Sequence, residues 1–205
     1  MASYTARGLT LRYEQAGDGR PVILLHGMSN HCLAWAPQLD ALAAAGWRAV
    51  LPDLAGHGRS DPVTERTTTE DLAGDVVALL DVLEVAAAPV CVLSLGGMVT
   101  QQLLVDHPER VTGALVVSAG TNLTFPAAEQ VIASWKAIWL APGVRVPVLA
   151  VAGQHDRLAP PQMVEQVAAS VPGGRLEVVE DAQHLVNLER PDRFNELLLG
   201  LLAQA

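Results

Sequence analysis

Short apolar, β-branched runs alternate with longer alanine- and leucine-rich segments along almost the whole chain. The run "PVILLHG" from Pro21 predicts a buried strand, and "WAPQLDALAAAG" from Trp35 predicts a helix that ends at a capping glycine, Gly46. Repetition of this unit predicts an α/β fold with a mostly parallel, doubly wound sheet and helices on both faces. The opening stretch "YTARGLTLRYEQAGDGR" predicts a hairpin at one edge of that sheet.

Composition limits the class of protein. The chain has 205 residues, of which 50% are hydrophobic and 17% charged, so we expect one domain over residues 1–205 with a full core. The net charge of -9 argues against a nucleic-acid partner. The apolar stretches are too short to span a membrane, and no secretory signal is visible, so a cytoplasmic protein is expected. Two isolated cysteines, Cys32 and Cys91, predict neither a disulfide framework nor a metal site.

Polar residues follow several of the predicted strands at the point where each strand ends. Ser94 follows "PVCVL", Asp156 lies just beyond "PVLAVAG", and His184 lies just beyond "RLEVV". Ligand sites of such sheets lie at the carboxyl ends of the strands, so these side chains are candidates for one site. The order Ser, Asp, His fits a nucleophile, an orienting acid and a base. No histidine pair has the spacing of metal ligands, and no glycine pattern fits a phosphate cradle, so no cofactor is predicted.

Other residues of the same types compete for these roles. His26 precedes a glycine after a strand and is interpreted as structural, bonded to nearby backbone. His155 is expected to be exposed beside Asp156. Asp53 fits better as a turn-forming residue than as the acid of the triad.

Several stretches resemble the α/β-hydrolase family in the order that the family uses. "HGMSN" is similar to its oxyanion loop, "DLAGHGRSD" to a turn motif, "GQHDRLAP" to its acid loop and "AQHLVNLERPDRFN" to its histidine loop. The stretches "LSLGGM" and "HLVNLERPDRFN" most resemble 3-oxoadipate enol-lactonases and related carboxylesterases. The resemblance implies a cofactor-free serine hydrolase of small carboxylic esters or lactones. A perhydrolase with the same triad and a non-catalytic ligand-binding relative remain as alternatives.

Residue roles follow from this resemblance. Ser94 would attack the acyl carbonyl, His184 would take its proton, and Asp156 would hold the imidazole. The backbone N–H groups of Met28 and Leu95 would stabilise the oxyanion.

The turn around Ser94 departs from the family pattern G-x-S-x-G, because Val92 stands where the first glycine is expected. Crowding by the valine would either shift the following helix outward, helped by Gly96 and Gly97, or displace the serine. We expect a working site in which Val92 limits the rate, so that Val92→Gly raises kcat.

The cap that the family inserts above the sheet is largely missing. Residues 121–146 provide a reduced cap segment, with one apolar helix predicted over 127–140. Trp135 and Trp139 lie on its apolar face and are expected to form one wall of the substrate pocket. The same face could instead pack on the sheet edge or form a homodimer contact.

Overall fold

The structure is a computed structural model that describes residues 1–64, 66–119, 145–169 and 171–205. One eight-stranded sheet runs through it, in the order β1-β2-β4-β3-β5-β6-β7-β8. Its strands are β1 (Ala2–Ala6), β2 (Leu9–Ala16), β3 (Arg20–Leu25), β4 (Trp47–Asp53), β5 (Ala88–Leu93), β6 (Val111–Val117), β7 (Val148–Gly153) and β8 (Arg175–Val179). The strands from β4 to β8 along this order pair in parallel, which confirms the predicted sheet.

The predicted edge hairpin is also confirmed. β1 and β2 pair antiparallel, and β2 continues antiparallel onto β4. The turn between β1 and β2 uses two residues with positive φ, Arg7 at 50° and Gly8 at 78°. Such angles favour glycine because it has no Cβ.

The helices of the described residues are α1 (Leu39–Ala44), α2 (Thr69–Val82), α3 (Leu95–Asp106), α4 (Pro161–Ala169), α5 (Val186–Glu189) and α6 (Pro191–Leu202). The helix predicted from Trp35 is α-helical only in its second half, since residues Cys32–Gln38 form a 3-10 helix. The helical segment begins at Cys32, and Pro37 within it has no backbone N–H, so an α-helix from Cys32 would lack the bond that residue 37 donates. None of the described helices is both long enough and apolar enough to cross a bilayer.

The pleat of the sheet divides the core into two layers. Ile23 and Leu25 of β3 join the cluster that contains α2, α3 and α4, whereas Val22 and Leu24 join the cluster that contains α1 and α6. The alternation follows from the two-residue period of a strand. Because both faces are covered, the central strands β5 and β7 are apolar and buried along their whole length, and the loops at their carboxyl ends carry polar groups.

Candidate active site

Ser94 stands in a strained turn between β5 and α3. Its backbone has φ 49° and ψ -105°, which lies outside the regions that non-glycine residues normally occupy. The turn is held because the Ser94 N–H donates to the Val117 carbonyl at 2.9 Å and the Gly97 N–H donates to the Ser94 carbonyl at 2.8 Å. Strain of this kind is kept where the surroundings enforce it, typically at functional sites.

Val92, two residues before Ser94, is a core residue. Its side chain is fully buried in the core layer that contains α3. The close approach of α3 lies one turn further on, where a Cβ on Gly96 would come 2.7 Å from the Leu25 carbonyl oxygen. A Cβ on Gly97 would collide with the Ala119 side chain. The missing Cβ atoms are therefore needed at Gly96 and Gly97, and Val92 fills core space.

The loop after β3 passes beside Ser94. A Cβ on Gly27 would lie 3.4 Å from the Ser94 Cβ, which is ordinary van der Waals contact, so the loop runs directly beside Ser94. Within the described residues, the N–H groups of Met28 and Leu95 donate to no hydrogen bond. Leu95 is the first residue of α3, where N–H groups have no partner inside the helix and the dipole favours negative charge. Both predicted oxyanion donors are therefore free to bind an anionic oxygen.

Asp156 and His184 form a hydrogen-bonded pair. His184 Nδ1 donates to Asp156 Oδ2 at 2.8 Å, and the Asp156 side chain is fully buried. Asp156 Oδ1 accepts from the N–H groups of Leu158 at 2.8 Å and Ala159 at 2.9 Å. Burial opposes ionisation of the carboxyl, but the bonds from His184, Ala159 and Leu158 outweigh it and lower the pKa of Asp156 below its ordinary value. An ionised Asp156 fixes the His184 proton on Nδ1 and leaves Nε2 as the acceptor.

Ser94 and the Asp156–His184 pair follow different strands of the sheet. Across the described residues, no hydrogen bond joins Ser94 Oγ to His184 Nε2. Ser94 and Asp156 follow strands that are two positions apart in the sheet, roughly 10 Å at the usual strand spacing. The two strands flank β6, so Ser94 and the Asp156–His184 pair lie at the same edge of the sheet. In free enzymes such contacts are often long and tighten on substrate binding.

The sequence did not predict the residue that holds the histidine loop. The Glu189 carboxylate accepts from the Gln183 N–H at 2.6 Å and from the Leu185 N–H at 3.0 Å, and so fixes the backbone on both sides of His184. The local signal was the glutamate of "HLVNLERP", five residues after the histidine, which ends the short helix α5. Glu189 is thus a positioning residue for His184.

The other residues considered for the base and the acid of the triad lie outside the Asp156–His184 pair. His26 is fully buried and bonds to backbone, with Nδ1 2.8 Å from the Gly27 carbonyl and Nε2 accepting from the Leu54 N–H at 3.0 Å. The His155 side chain is 60% exposed. Asp53 accepts from the Arg59 N–H at 2.9 Å within its turn. The predicted cap helix with Trp135 and Trp139 lies outside the described residues.

Several named proteins are similar to this chain in sequence or in fold. BpoC of Mycobacterium tuberculosis, named as a non-heme bromoperoxidase, is 26% identical over 258 aligned positions that cover 95% of this chain and 98% of BpoC. Est816, described as an N-acyl homoserine lactone degrading enzyme, is 27% identical with a TM-score of 0.83, covering 97% of this chain and 99% of Est816. The enol-lactonase of Burkholderia xenovorans LB400 has a TM-score of 0.85 at 24% identity, covering 98% and 100%, and this likeness concerns the fold.

The match to the family itself is broad. The sequence model of the alpha/beta hydrolase fold matches residues 20–141 and 133–191. These two segments contain every strand of the parallel part of the sheet, together with Ser94, Asp156 and His184. The chain therefore belongs to the α/β-hydrolase family.

Proposed function

We propose that this protein is a serine hydrolase of carboxylic esters or lactones that works through an acyl-enzyme. The observation that carries the proposal is the buried Asp156–His184 pair at 2.8 Å, on the same sheet edge as Ser94 in its strained turn. Est816, similar over almost its whole length, is described as a lactone-degrading enzyme and supports the substrate class. Two buried, unpaired thiols fit a reducing, cytoplasmic setting.

Acylation needs a base and an oxyanion site. As Ser94 Oγ attacks the carbonyl carbon, its proton passes to His184 Nε2 and the carbonyl oxygen becomes an anion. The free N–H groups of Met28 and Leu95 bind that anion, while Asp156 stabilises the charged imidazole. When the intermediate collapses, the bond to the leaving alkoxide breaks and the alkoxide takes the proton from His184.

Deacylation repeats these steps with water as the nucleophile. His184 Nε2 removes a proton from water, and the hydroxide oxygen bonds to the acyl carbon. The second intermediate expels Ser94 Oγ, which recovers its proton from His184 and releases the carboxylic acid. For a lactone, the alcohol and the acid leave as one hydroxy acid, because both belong to the same molecule.

We further propose that residues 121–146 are a reduced cap over a broad, open acyl site. The alignment with BpoC has 258 positions, more than the 205 residues of this chain, so BpoC has residues with no counterpart here. The two family matches overlap at residues 133–141, which supports a shortening at this point. A panel of esters and lactones tests the proposal: tolerance of many short acyl groups, reduced by Trp135→Ala and Trp139→Ala, is expected. One strongly preferred substrate, unaffected by either change, would contradict it.

A perhydrolase is the second candidate, because BpoC is named as a bromoperoxidase. The same triad would let hydrogen peroxide attack the acetyl-enzyme in place of water and release a peracid. Bromination that requires both acetate and peroxide identifies this activity.

A fluorophosphonate probe tests the proposal directly, since it labels only an activated serine. We expect labelling of the wild type and of Ser118→Ala, which removes a buried serine after the neighbouring strand β6. Ser94→Ala should not be labelled, and both Ser94→Ala and His184→Ala should lose nearly all hydrolysis of p-nitrophenyl acetate while keeping their circular dichroism. An unlabelled wild type would instead indicate a non-catalytic binding protein.

A further inference from the structure

A second cluster of chemically active side chains, none of them in the predicted triad, lies around the end of β4. His31, Cys32 and Asp53 each offer a metal-ligating atom, and these atoms all lie within 4.8 Å of one another. The sequence predicted no metal site, because no histidine pair has ligand spacing. The fold instead joins two segments, since Cys32 and Asp53 are 21 residues apart and meet through the Cys32 N–H, which donates to Asp53 Oδ1 at 2.7 Å.

The cluster opens into a cavity of about 360 Å³, which has room for a cation with bound water. Glu14 and Arg59 line this cavity together with the three cluster residues. Cys32 and Asp53 are buried, whereas His31 is exposed at the mouth. A carboxylate that accepts backbone N–H bonds keeps its orientation, and Asp53 accepts two of them, from Cys32 and Arg59. The Asp53 carboxylate is therefore preorganised, and Cys32 is buried beside it.

We propose that His31, Cys32 and Asp53 bind a divalent transition-metal ion of the zinc class. A sulfur, a nitrogen and an oxygen ligand together favour zinc over magnesium or calcium, which prefer oxygen alone. On binding, the thiol proton of Cys32 leaves as a sulfur–metal bond forms. The Glu14 carboxylate also lines the cavity but is engaged by the Met1 amino group at 3.2 Å, so it is not counted among the ligands.

The geometry requires a small adjustment that His31 can make. Bonds of about 2.0–2.3 Å place tetrahedral zinc ligands roughly 3.5 Å apart, so the longest separation must contract by about 1 Å. His31 Nδ1 now accepts a 3.3 Å bond from the Leu33 N–H, and this bond is given up whichever ring nitrogen binds the metal. It is a long bond at an exposed residue, so its loss is a minor obstacle.

The position of the cluster gives the metal a role in holding the loop after β3. His31 lies four residues beyond Gly27, which borders Ser94, and the intervening turn includes Ser29 with φ 59°. A metal bound by His31 and Cys32 on one side and by Asp53 of β4 on the other fastens the end of this loop to the sheet. Zinc should therefore raise the melting temperature of the folded chain.

Competition with a chromogenic zinc chelator measures the affinity and the number of ions bound. We expect one Zn²⁺ per wild-type chain, unaffected by a large excess of Mg²⁺ or Ca²⁺. Cys32→Ala and His31→Ala should each weaken binding by at least about tenfold and abolish the rise in melting temperature. The matched controls Cys91→Ala and His107→Ala, at the chain's other cysteine and at another histidine, should bind zinc as the wild type does.

Cobalt provides a test of the sulfur ligand that does not depend on affinity. Co²⁺ bound to the wild type should show a thiolate-to-cobalt absorption band in the near ultraviolet, and Cys32→Ser, which preserves the shape of the side chain, should lack it. Circular dichroism of the metal-free variants establishes that they fold. Failure of the wild type to bind zinc, retention of full affinity in Cys32→Ala, or displacement of zinc by Mg²⁺ would each overturn the proposal.

Discussion

His26 should make the stability of this protein depend on pH. The imidazole is fully buried beside the ring of His57, at 5.2 Å between ring centres. Burial lowers the pKa of His26 from 6.5 to about 4, because the charged form loses its hydration. The bond from the Leu54 N–H to Nε2 at 3.0 Å also needs an unprotonated nitrogen. The folded protein therefore keeps His26 neutral at pH values where the unfolded chain protonates it.

The magnitude follows from the two pKa values. Between pH 6.5 and about 4 the unfolded chain binds more protons at this site, so the free energy of unfolding falls as the pH falls. Each pH unit is worth about 1.4 kcal/mol, which gives His26 a contribution of about 3 kcal/mol that is present above pH 6.5 and lost by about pH 4. A single domain of ordinary stability would lose a large part of its total in this way.

Urea unfolding followed by tryptophan fluorescence, at fixed ionic strength from pH 7.5 to 4, measures this effect. His26→Gln is the informative variant, because its amide oxygen can still accept from the Leu54 N–H and does not titrate. The wild type should lose about 3 kcal/mol more than His26→Gln over this range, whereas His107→Gln, changed at a partly exposed histidine, should follow the wild type. Parallel curves for the wild type and His26→Gln would refute the reasoning.

Further predictions concern the triad and the turn around Ser94. In place of the rate gain expected from sequence, Val92→Ala should cost about 2 kcal/mol in unfolding free energy through lost burial and change kcat less than twofold; a marked rise in kcat would restore the crowding argument. Gly96→Ala should lower both stability and kcat, because its Cβ meets the Leu25 carbonyl, and unchanged kinetics would contradict this. Glu189→Gln should lower kcat by up to about a hundredfold with KM little changed, since one N–H beside His184 loses its acceptor; a change in KM alone would argue against positioning. Asp156→Asn should lower kcat by about 10³–10⁴. Because folding lowers the pKa of Asp156, its ionised form stabilises the fold above the ordinary carboxyl pKa, and this stabilisation disappears as the pH falls through the pKa of the folded state. In acid titrations of the unfolding free energy, Asp156→Asn should not show this loss.

Periodicity in the sequence determined the sheet and the places of the candidate triad. A strand is recognised from a few consecutive residues, and the residue after it must lie at the carboxyl edge of a parallel sheet. Ser94, Asp156 and His184 could therefore be located without coordinates. The edge hairpin and the structural place of His26 were also predictable, since the signals for both are local.

The tertiary structure decided which groups meet across long separations in sequence. The contact of Cys32 with Asp53 depends on the pairing of β3 with β4, which no local pattern specifies. The role of Glu189 depends on backbone N–H groups, which are present in every residue and leave no signature in sequence. The fit of Val92 next to the turn at Ser94 was likewise decided by the tertiary structure. The valine in place of a glycine suggested crowding, but the distance between α3 and the strands beside it is set by the packing of the whole core layer.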